Sequence, residues 1–150
     1  KSHGYKILSF LRGEAENLPL EVGSVETVVN IESSRCYQNK DRFFREVNRV
    51  LEPRGTLLFA DMREPHEVEL LEEHLRDSGF EITEKEDITA GVVRALDEDH
   101  ARRIEVMTRL TPWFLRRAVP DFAGVKNSNR YTSFVDGSMV YLRYRAEKRE

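Results

Sequence analysis

Val25–Asp61 reads VETVVNIESSRCYQNKDRFFREVNRVLEPRGTLLFAD. Thr27-Val28-Val29-Asn30-Ile31 is a short β-branched run of the kind that forms a buried strand, and the polar loop Glu32-Ser33-Ser34-Arg35-Cys36-Tyr37 follows it. Phe43, Phe44, Val47, Val50 and Leu51 then recur at helical spacing, with Arg42, Arg45, Glu46 and Arg49 on the other side. Pro53-Arg54-Gly55 stops that helix, and Thr56-Leu57-Leu58-Phe59-Ala60 is a second apolar strand ending on Asp61. Strand, helix and strand in such short compass predict a βαβ unit with a right-handed crossover. Ligands of open α/β sheets bind beyond the carboxyl ends of the strands. Here those ends carry Glu32–Tyr37 and Asp61–Arg63, so the chemistry is expected there.

Upstream, Tyr5–Leu11 carries Ile7, Leu8, Phe10 and Leu11 and reads as a strand, followed by the loop Gly13-Glu14-Ala15-Glu16-Asn17-Leu18-Pro19-Leu20. The acidic residues of that loop either accept hydrogen bonds from a ligand amine or form a solvated face. Downstream, Pro65–Ser78 reads as a helix with Val68, Leu71 and Leu75 inward and Gly79 ending it. Phe80-Glu81-Ile82-Thr83 opens the next strand. This alternation predicts an α/β fold with a parallel sheet covered by helices.

The pattern changes after Asp87. Thr89–Leu96 and Asp97–Leu110 read as helices, with Asp97 expected to cap the second. Thr111-Pro112-Trp113-Phe114-Leu115 reads as the start of another, and the stretch 120–130 as loop. Asp136-Gly137 is a turn signal before the strand Met139–Arg145. A helical block between strands suggests a cap over the strand ends; the alternative is a crossover helix with decorations. The expected organisation is one domain, with residues 5–87 as sheet core, 88–135 as cap and 138–146 as last strand.

The 150 residues suffice for one domain with a sizeable core. A net charge of −3 gives no reason to expect nucleic acid as partner. No apolar run approaches the roughly 20 residues that span a bilayer. A single cysteine, Cys36, excludes an internal disulfide and fits a reducing compartment, so a cytoplasmic protein is expected.

Chemistry narrows by elimination. His3, His66, His74 and His100 are scattered and form no metal-ligand spacing, so no metal is expected. Cys36 has no histidine beside it, Ser33 and Ser34 lack a nucleophile elbow, and no phosphate-binding glycine motif occurs. Carboxylates at strand ends remain (Glu14, Glu16, Glu32, Asp61), with an aromatic-rich block holding Trp113, Phe114, Phe122, Tyr131 and Phe134. A carboxylate can hold an amine or act as a general base, and aromatics can cover an apolar substrate or simply pack a core.

GEAENLPL, SVETVVNIESSRCY, RFFREVNRVLEPRG and LLFAD, in this order and spacing, resemble the C-terminal half of class I S-adenosylmethionine-dependent methyltransferases. DFAGVKNS and its flanks resemble a subgroup near the phthiotriol and phenolphthiotriol dimycocerosate O-methyltransferases. The resemblance runs from about Ile7 to Tyr144 and implies a partial Rossmann-like sheet with a helical cap inserted before the last strand. It further implies S-adenosylmethionine as cofactor and a hydroxyl on a small lipid-like or polyketide-like acceptor.

By resemblance, Glu14 stands where an acidic residue binds the adenine amine, one methylene longer than the usual Asp, with Ala15 beside the ring. Asn30, Ile31 and Glu32 border the methionine part. Arg35 stands where close relatives often carry His, and Asp61 is left to orient or deprotonate the acceptor. The glycine-rich turn and the ribose-binding acidic residue of the family's first two strands have no counterpart here. The resemblance therefore implies either an enzyme completed by other polypeptide or a non-catalytic interaction subunit. The expected partners are an apolar small molecule and a second copy or a chain supplying the other half.

Overall fold

In a computed structural model, residues 8–110, 126 and 128–150 are described. The strands are β1 (Val25–Ile31), β2 (Leu51–Arg63), β3 (Phe80–Asp87) and β4 (Val140–Lys148). The α-helices are α1 (Lys40–Val50), α2 (Val68–Asp77), α3 (Thr89–Glu98), α4 (His100–Leu110) and α5 (Asn129–Val135). Short 3-10 turns occupy Ser34–Cys36 and Pro65–Glu67.

The predicted βαβ unit is present, with β1 and β2 parallel and paired from Thr27↔Thr56 to Ile31↔Ala60. The intervening helix starts where Asn39 accepts the Arg42 amide at 2.9 Å through its side chain. It buries Phe43, Phe44, Val47 and Val50. Leu51 already pairs with Val25, and the Pro-Arg-Gly turn is an excursion within β2. A Cβ on Gly55 would lie 2.9 Å from the Glu52 carbonyl oxygen, which reserves that position for glycine. Gly79, at φ +88°, turns α2 into β3 in the left-handed region that glycine enters at least cost.

The sheet order is β1-β2-β4-β3; the expected parallel sheet holds for β1, β2 and β3, which run in one direction, and is corrected at β4. The last strand inserts antiparallel between β2 and β3, from Thr56↔Glu147 to Arg63↔Val140 on one side. The carboxyl end of β2 thus meets the amino end of β4.

Alternation assigns the two sheet faces. One packs under α1 and α2 through Leu57, Phe59, Leu71, Leu75, Phe80, Leu142, Tyr144 and Ala146. Rings Tyr37, Phe43, Phe44, Phe59 and Tyr144 run through it with successive centroids 4.6 to 6.2 Å apart. The other face carries Met62 and Tyr141 at the carboxyl end of β2, packed with Leu96 of α3 and Phe134 of α5. The rest of that face is open, leaving Val29 and Ile31 about three-fifths exposed (60% and 62%).

Two further readings change. Leu8–Leu11 forms no strand, and Leu8, Phe10 and Leu11 are exposed; a strand needs a neighbour's ladder, and none among the described residues reaches it. The Tyr5 and Ile7 end of that expected strand lies outside the described residues. Asp97 caps no helix: α3 continues through Glu98 and α4 begins at His100. Its carboxylate instead accepts the Tyr131 hydroxyl at 3.0 Å and pairs with Lys126 at 3.2 Å, tying α3 to α5. The expected helix at 111–115 and the aromatics Trp113, Phe114 and Phe122 also lie outside the described residues.

Candidate functional site

Four segments meet at the carboxyl ends of β1 and β2. The first is the loop after β1. Glu32 takes φ +56°, a left-handed conformation uncommon for residues other than glycine, and its amide donates to the Ala60 carbonyl at 2.9 Å. After that last ladder bond the chain leaves β1 for the Ser34–Cys36 turn, which presents Arg35 and Cys36 to solvent.

The second is Asp61, at the end of β2. It is 1% exposed, and both its oxygens are engaged. Oδ2 accepts from Ser34 Oγ at 2.5 Å and lies 3.3 Å from the Arg63 guanidinium; Oδ1 accepts the Met62 amide at 2.8 Å. Arg63, 2% exposed, also donates to Ser34 Oγ and to the Met62 carbonyl oxygen. Both oxygens of this buried carboxylate are therefore taken up by contacts within the chain. The geometry suits Asp61 to orienting the loop rather than to deprotonating a ligand.

Asn30, on the face turned to α1, contributes a buried orphan. Its Nδ2 donates to the Tyr37 hydroxyl at 2.7 Å, while its buried Oδ1 finds no donor among the described residues. A buried acceptor left unpaired costs on the order of 1–3 kcal/mol, so a ligand donor there would bind favourably.

The GEAENLPL loop is the third segment, held against α1. Arg49 forms a fork on Glu46 and donates to the carbonyl oxygens of Leu18 and Leu20 at 3.1 and 3.0 Å. Glu46 in turn accepts the Leu18 amide at 3.0 Å. The Arg49 guanidinium beside it holds the Glu46 carboxyl below its usual range. Glu16 accepts the Asn39 amide at the start of α1, which brings the loop to the carboxyl end of β1. Ala15 packs against the core, and Glu14 stays exposed in a tight turn closed by the Asn17 amide.

The fourth segment comprises α3 and α5. The Ile88 amide donates to the Tyr141 carbonyl oxygen, and the Tyr141 amide donates to Thr89 Oγ1, both at 2.8 Å. This docks α3 onto the start of β4. Between these helices and the strand ends lies a pocket of about 480 Å³ lined by Ile31, Ala60, Met62, Val92, Phe134 and Tyr141, with Glu32, Arg103 and Arg130 at its charged positions. Burial pushes the Tyr141 hydroxyl well above its ordinary range, with the negative charge of Glu32 adding to the shift.

The structure thus brings Asn30, Ile31, Glu32 and Asp61 to adjoining strand ends and Glu14 and Ala15 to the neighbouring loop, with Arg35 exposed nearby. Sequence reading placed Ser34, Tyr37 and Arg63 within the expected strand-end segments without giving them a role, and missed Tyr141. Ser34 and Arg63 flank the expected site residues, but nothing in their spacing marks a buried ion pair.

Residues 1–59 match a family described as "Methyltransferase domain". The chain is 35% identical over 144 residues to the phthiotriol/phenolphthiotriol dimycocerosates methyltransferase of Mycobacterium leprae, covering 96% of this chain and 53% of that protein. It is 28% identical to the fatty-acid O-methyltransferase of Mycolicibacterium smegmatis, covering 96% and 52% respectively. The chain therefore spans about half the length of these relatives. Among solved structures, phosphoethanolamine N-methyltransferase 2 of Haemonchus contortus, bound to phosphomonomethylethanolamine and S-adenosylhomocysteine, superposes with a TM-score of 0.76. The identity is 18%, with 91% of this chain and 36% of that one covered, so this likeness concerns the fold alone. The chain has the fold of class I S-adenosylmethionine-dependent methyltransferases and resembles the phthiotriol/phenolphthiotriol dimycocerosates methyltransferases in sequence.

Proposed function

We propose that this chain forms the acceptor side and part of the cofactor site of an S-adenosylmethionine-dependent methyltransferase, which methylates an oxygen of a small lipid-like or polyketide-like acceptor. The observation that carries this reading is the apolar pocket at the strand ends, bounded by the loop after β1 and by α3 and α5. Relatives named for phthiotriol dimycocerosates and for fatty acids support a lipid-like acceptor with a hydroxyl as the expected target.

The residues present fit the cofactor. The unpaired Asn30 Oδ1 suits an ammonium donor, Glu14 a ring amine, and Ala15 with Ile31 apolar contact. When bound, S-adenosylmethionine supplies an electrophilic methyl group. The protein's contribution is alignment and exclusion of water. Asp61, fixed by Ser34 and Arg63, holds the loop that borders both ligands. α3 and α5, within the expected cap of residues 88–135, border the pocket that selects the acceptor, and Arg35 adds a cation at the loop's surface.

Calorimetric titration with S-adenosylmethionine, followed by methyl transfer to a hydroxylated long-chain lipid, tests this reading in an assembly holding the whole cofactor site. Saturable binding and an ether product are expected; binding without transfer to any oxygen acceptor would overturn it. A second reading, a non-catalytic subunit that kept the fold, is favoured by the open sheet face, where Val29, Ile31 and Leu58 stand exposed. Under that reading the chain binds a partner chain and no cofactor.

A further inference from the structure

Three charged residues interrupt the apolar lining of the strand-end pocket: Glu32, Arg103 and Arg130. Their circumstances differ. Arg103 is held through Nε by the Asp99 carboxylate at 3.0 Å, and Arg102 grips the same carboxylate. Asp97, at the end of α3, is taken up by the Tyr131 hydroxyl and Lys126. Arg130 is half-buried, and no carboxylate among the described residues pairs with it, Glu32 included. It stands in the first turn of α5, the end of a helix that favours negative charge, so the helix gains nothing from its guanidinium. A cation drawn partly out of water beside apolar side chains is costly unless an anion meets it.

We infer that Arg130 is a specificity-determining residue of the acceptor site, and that the acceptor carries a carboxylate besides its reacting hydroxyl. The substrate class is then a hydroxylated fatty acid rather than a neutral lipid alcohol. This rests on the O-methyl-transfer reading above and narrows its acceptor. A guanidinium presents a planar fork of donors that matches a carboxylate or a phosphate in two parallel hydrogen bonds. The charges of the pocket choose between these anions. Asp99 balances Arg103, which leaves Arg130 against Glu32. A single negative charge on the acceptor is matched by Arg130, whereas the second charge of a phosphate monoester would meet Glu32 with no further cation to offset it. The apolar lining, with Met62, Leu96 and Phe134, takes the hydrocarbon chain that joins the carboxylate to the hydroxyl.

The test measures equilibrium binding, then methyl transfer, for a medium-chain hydroxy fatty acid and its primary amide, in the assembly with the whole cofactor site. The two probes share a shape and differ by one charge. Wild type should bind the acid roughly tenfold or more tightly than the amide, as expected for hydrogen bonds between charged groups, and KM should follow the same order. The readout in each variant is this acid-to-amide ratio, not the absolute rate. Arg130→Gln should bring the ratio close to one, and Arg130→Glu should invert it. Arg130→Lys, which keeps the charge and loses the fork, should retain part of it. A wild-type ratio below about fivefold, the level of an exposed ion pair, overturns the inference. So does a ratio unmoved by Arg130→Gln, which would give the recognition to another cation, or one lost equally in Arg130→Lys, which would make the arginine structural. Tighter binding of a phosphate monoester of equal length overturns the choice of a carboxylate. If wild type methylates no hydroxylated lipid, the O-methyl-transfer reading itself fails and takes this assignment with it. Methylation of hydroxylated lipids without preference for the acid overturns this inference alone.

Discussion

Ser34 Oγ lies 2.5 Å from Asp61 Oδ2, although the two residues are 27 positions apart in sequence. The bond joins the loop after β1 to the end of β2, and Arg63 closes it from the other side. Removing one member of such a buried set leaves an uncompensated charge. Asp61→Ala should therefore destabilise the chain by about 3–5 kcal/mol. Replacing Asp61 and Arg63 together by apolar residues of similar volume should recover much of that loss, because neither charge then remains buried. Urea unfolding of the single and double variants measures both. A cost below about 1 kcal/mol for Asp61→Ala, the level of an exposed pair, would mean that another contact holds the loop.

Asn30 holds a buried acceptor that no described residue satisfies. If an ammonium donor of the cofactor fills it, Asn30→Ala should weaken S-adenosylmethionine binding by about 1.5–3 kcal/mol, the worth of a hydrogen bond to a charged group. Calorimetry in an assembly with a complete cofactor site reads this directly. Undiminished affinity would return Asn30 to a purely structural role as partner of Tyr37.

The outline of the fold was legible because the residues that make it are local. Phe43, Phe44, Val47 and Val50 declare one buried helix face, and Gly55 and Gly79 mark the turns beyond. The antiparallel place of β4 was not legible, since Val140-Tyr141-Leu142 shows the same alternation beside any neighbour. Asp61 was recognisable as a strand-end carboxylate, whereas its neutralisation by Arg63 was not. Arginine after a strand ordinarily reads as solvated, and Ser34 comes from another segment. Tyr141 reads as one more strand aromatic until the fold sets it in the same pocket as Glu32. What escaped the sequence is pairing between distant polar groups, which leaves no periodic trace.

Glu14 is exposed in a turn closed by its own carbonyl oxygen and the Asn17 amide, so its carboxylate has no structural duty there. Glu14→Ala should leave the unfolding midpoint in place. In the completed site it should weaken cofactor binding by about 1.5–3 kcal/mol if the carboxylate holds the adenine amine. Unchanged affinity would remove Glu14 from the site.

Glu46 and Arg49 clamp the GEAENLPL loop to α1, and the folded state depresses the Glu46 pKa through the Arg49 hydrogen bond. A group with a depressed folded pKa contributes stability above its unfolded pKa and loses it as pH falls through the folded value. The loop should therefore stay docked at neutral pH and loosen in acid below the ordinary carboxylate range. Exchange of the Leu18 amide, which donates to Glu46, should accelerate there. Arg49→Met should produce the same acceleration at neutral pH. Equal protection of Leu18 across the acid range would show the loop to be held by its apolar contacts alone.

β1 is an edge strand of the described sheet, and its open face continues across Leu58 and Ala60 into a groove of about 640 Å³. Unpaired ladder groups beside an exposed apolar face favour association. The ion pair Arg143–Glu86 blunts the β4–β3 side of the groove, whereas Val29 and Ile31 leave the β1 side apolar. The chain is accordingly expected to self-associate through β1, in a two-fold contact that pairs the edge with its copy. Such a contact completes the ladder without supplying a glycine-rich turn, so association and cofactor binding should separate. Sedimentation of the 150-residue chain at micromolar concentration should show a dimer or larger species with weak affinity for S-adenosylmethionine. Replacing Val29 and Ile31 by Lys should shift it toward monomer while far-UV circular dichroism stays unchanged, because both side chains point away from the α1–α2 core. A wild-type chain that stays monomeric would place the association surface elsewhere or deny it. A monomer that also binds cofactor tightly would show that the cofactor site is complete without a second chain.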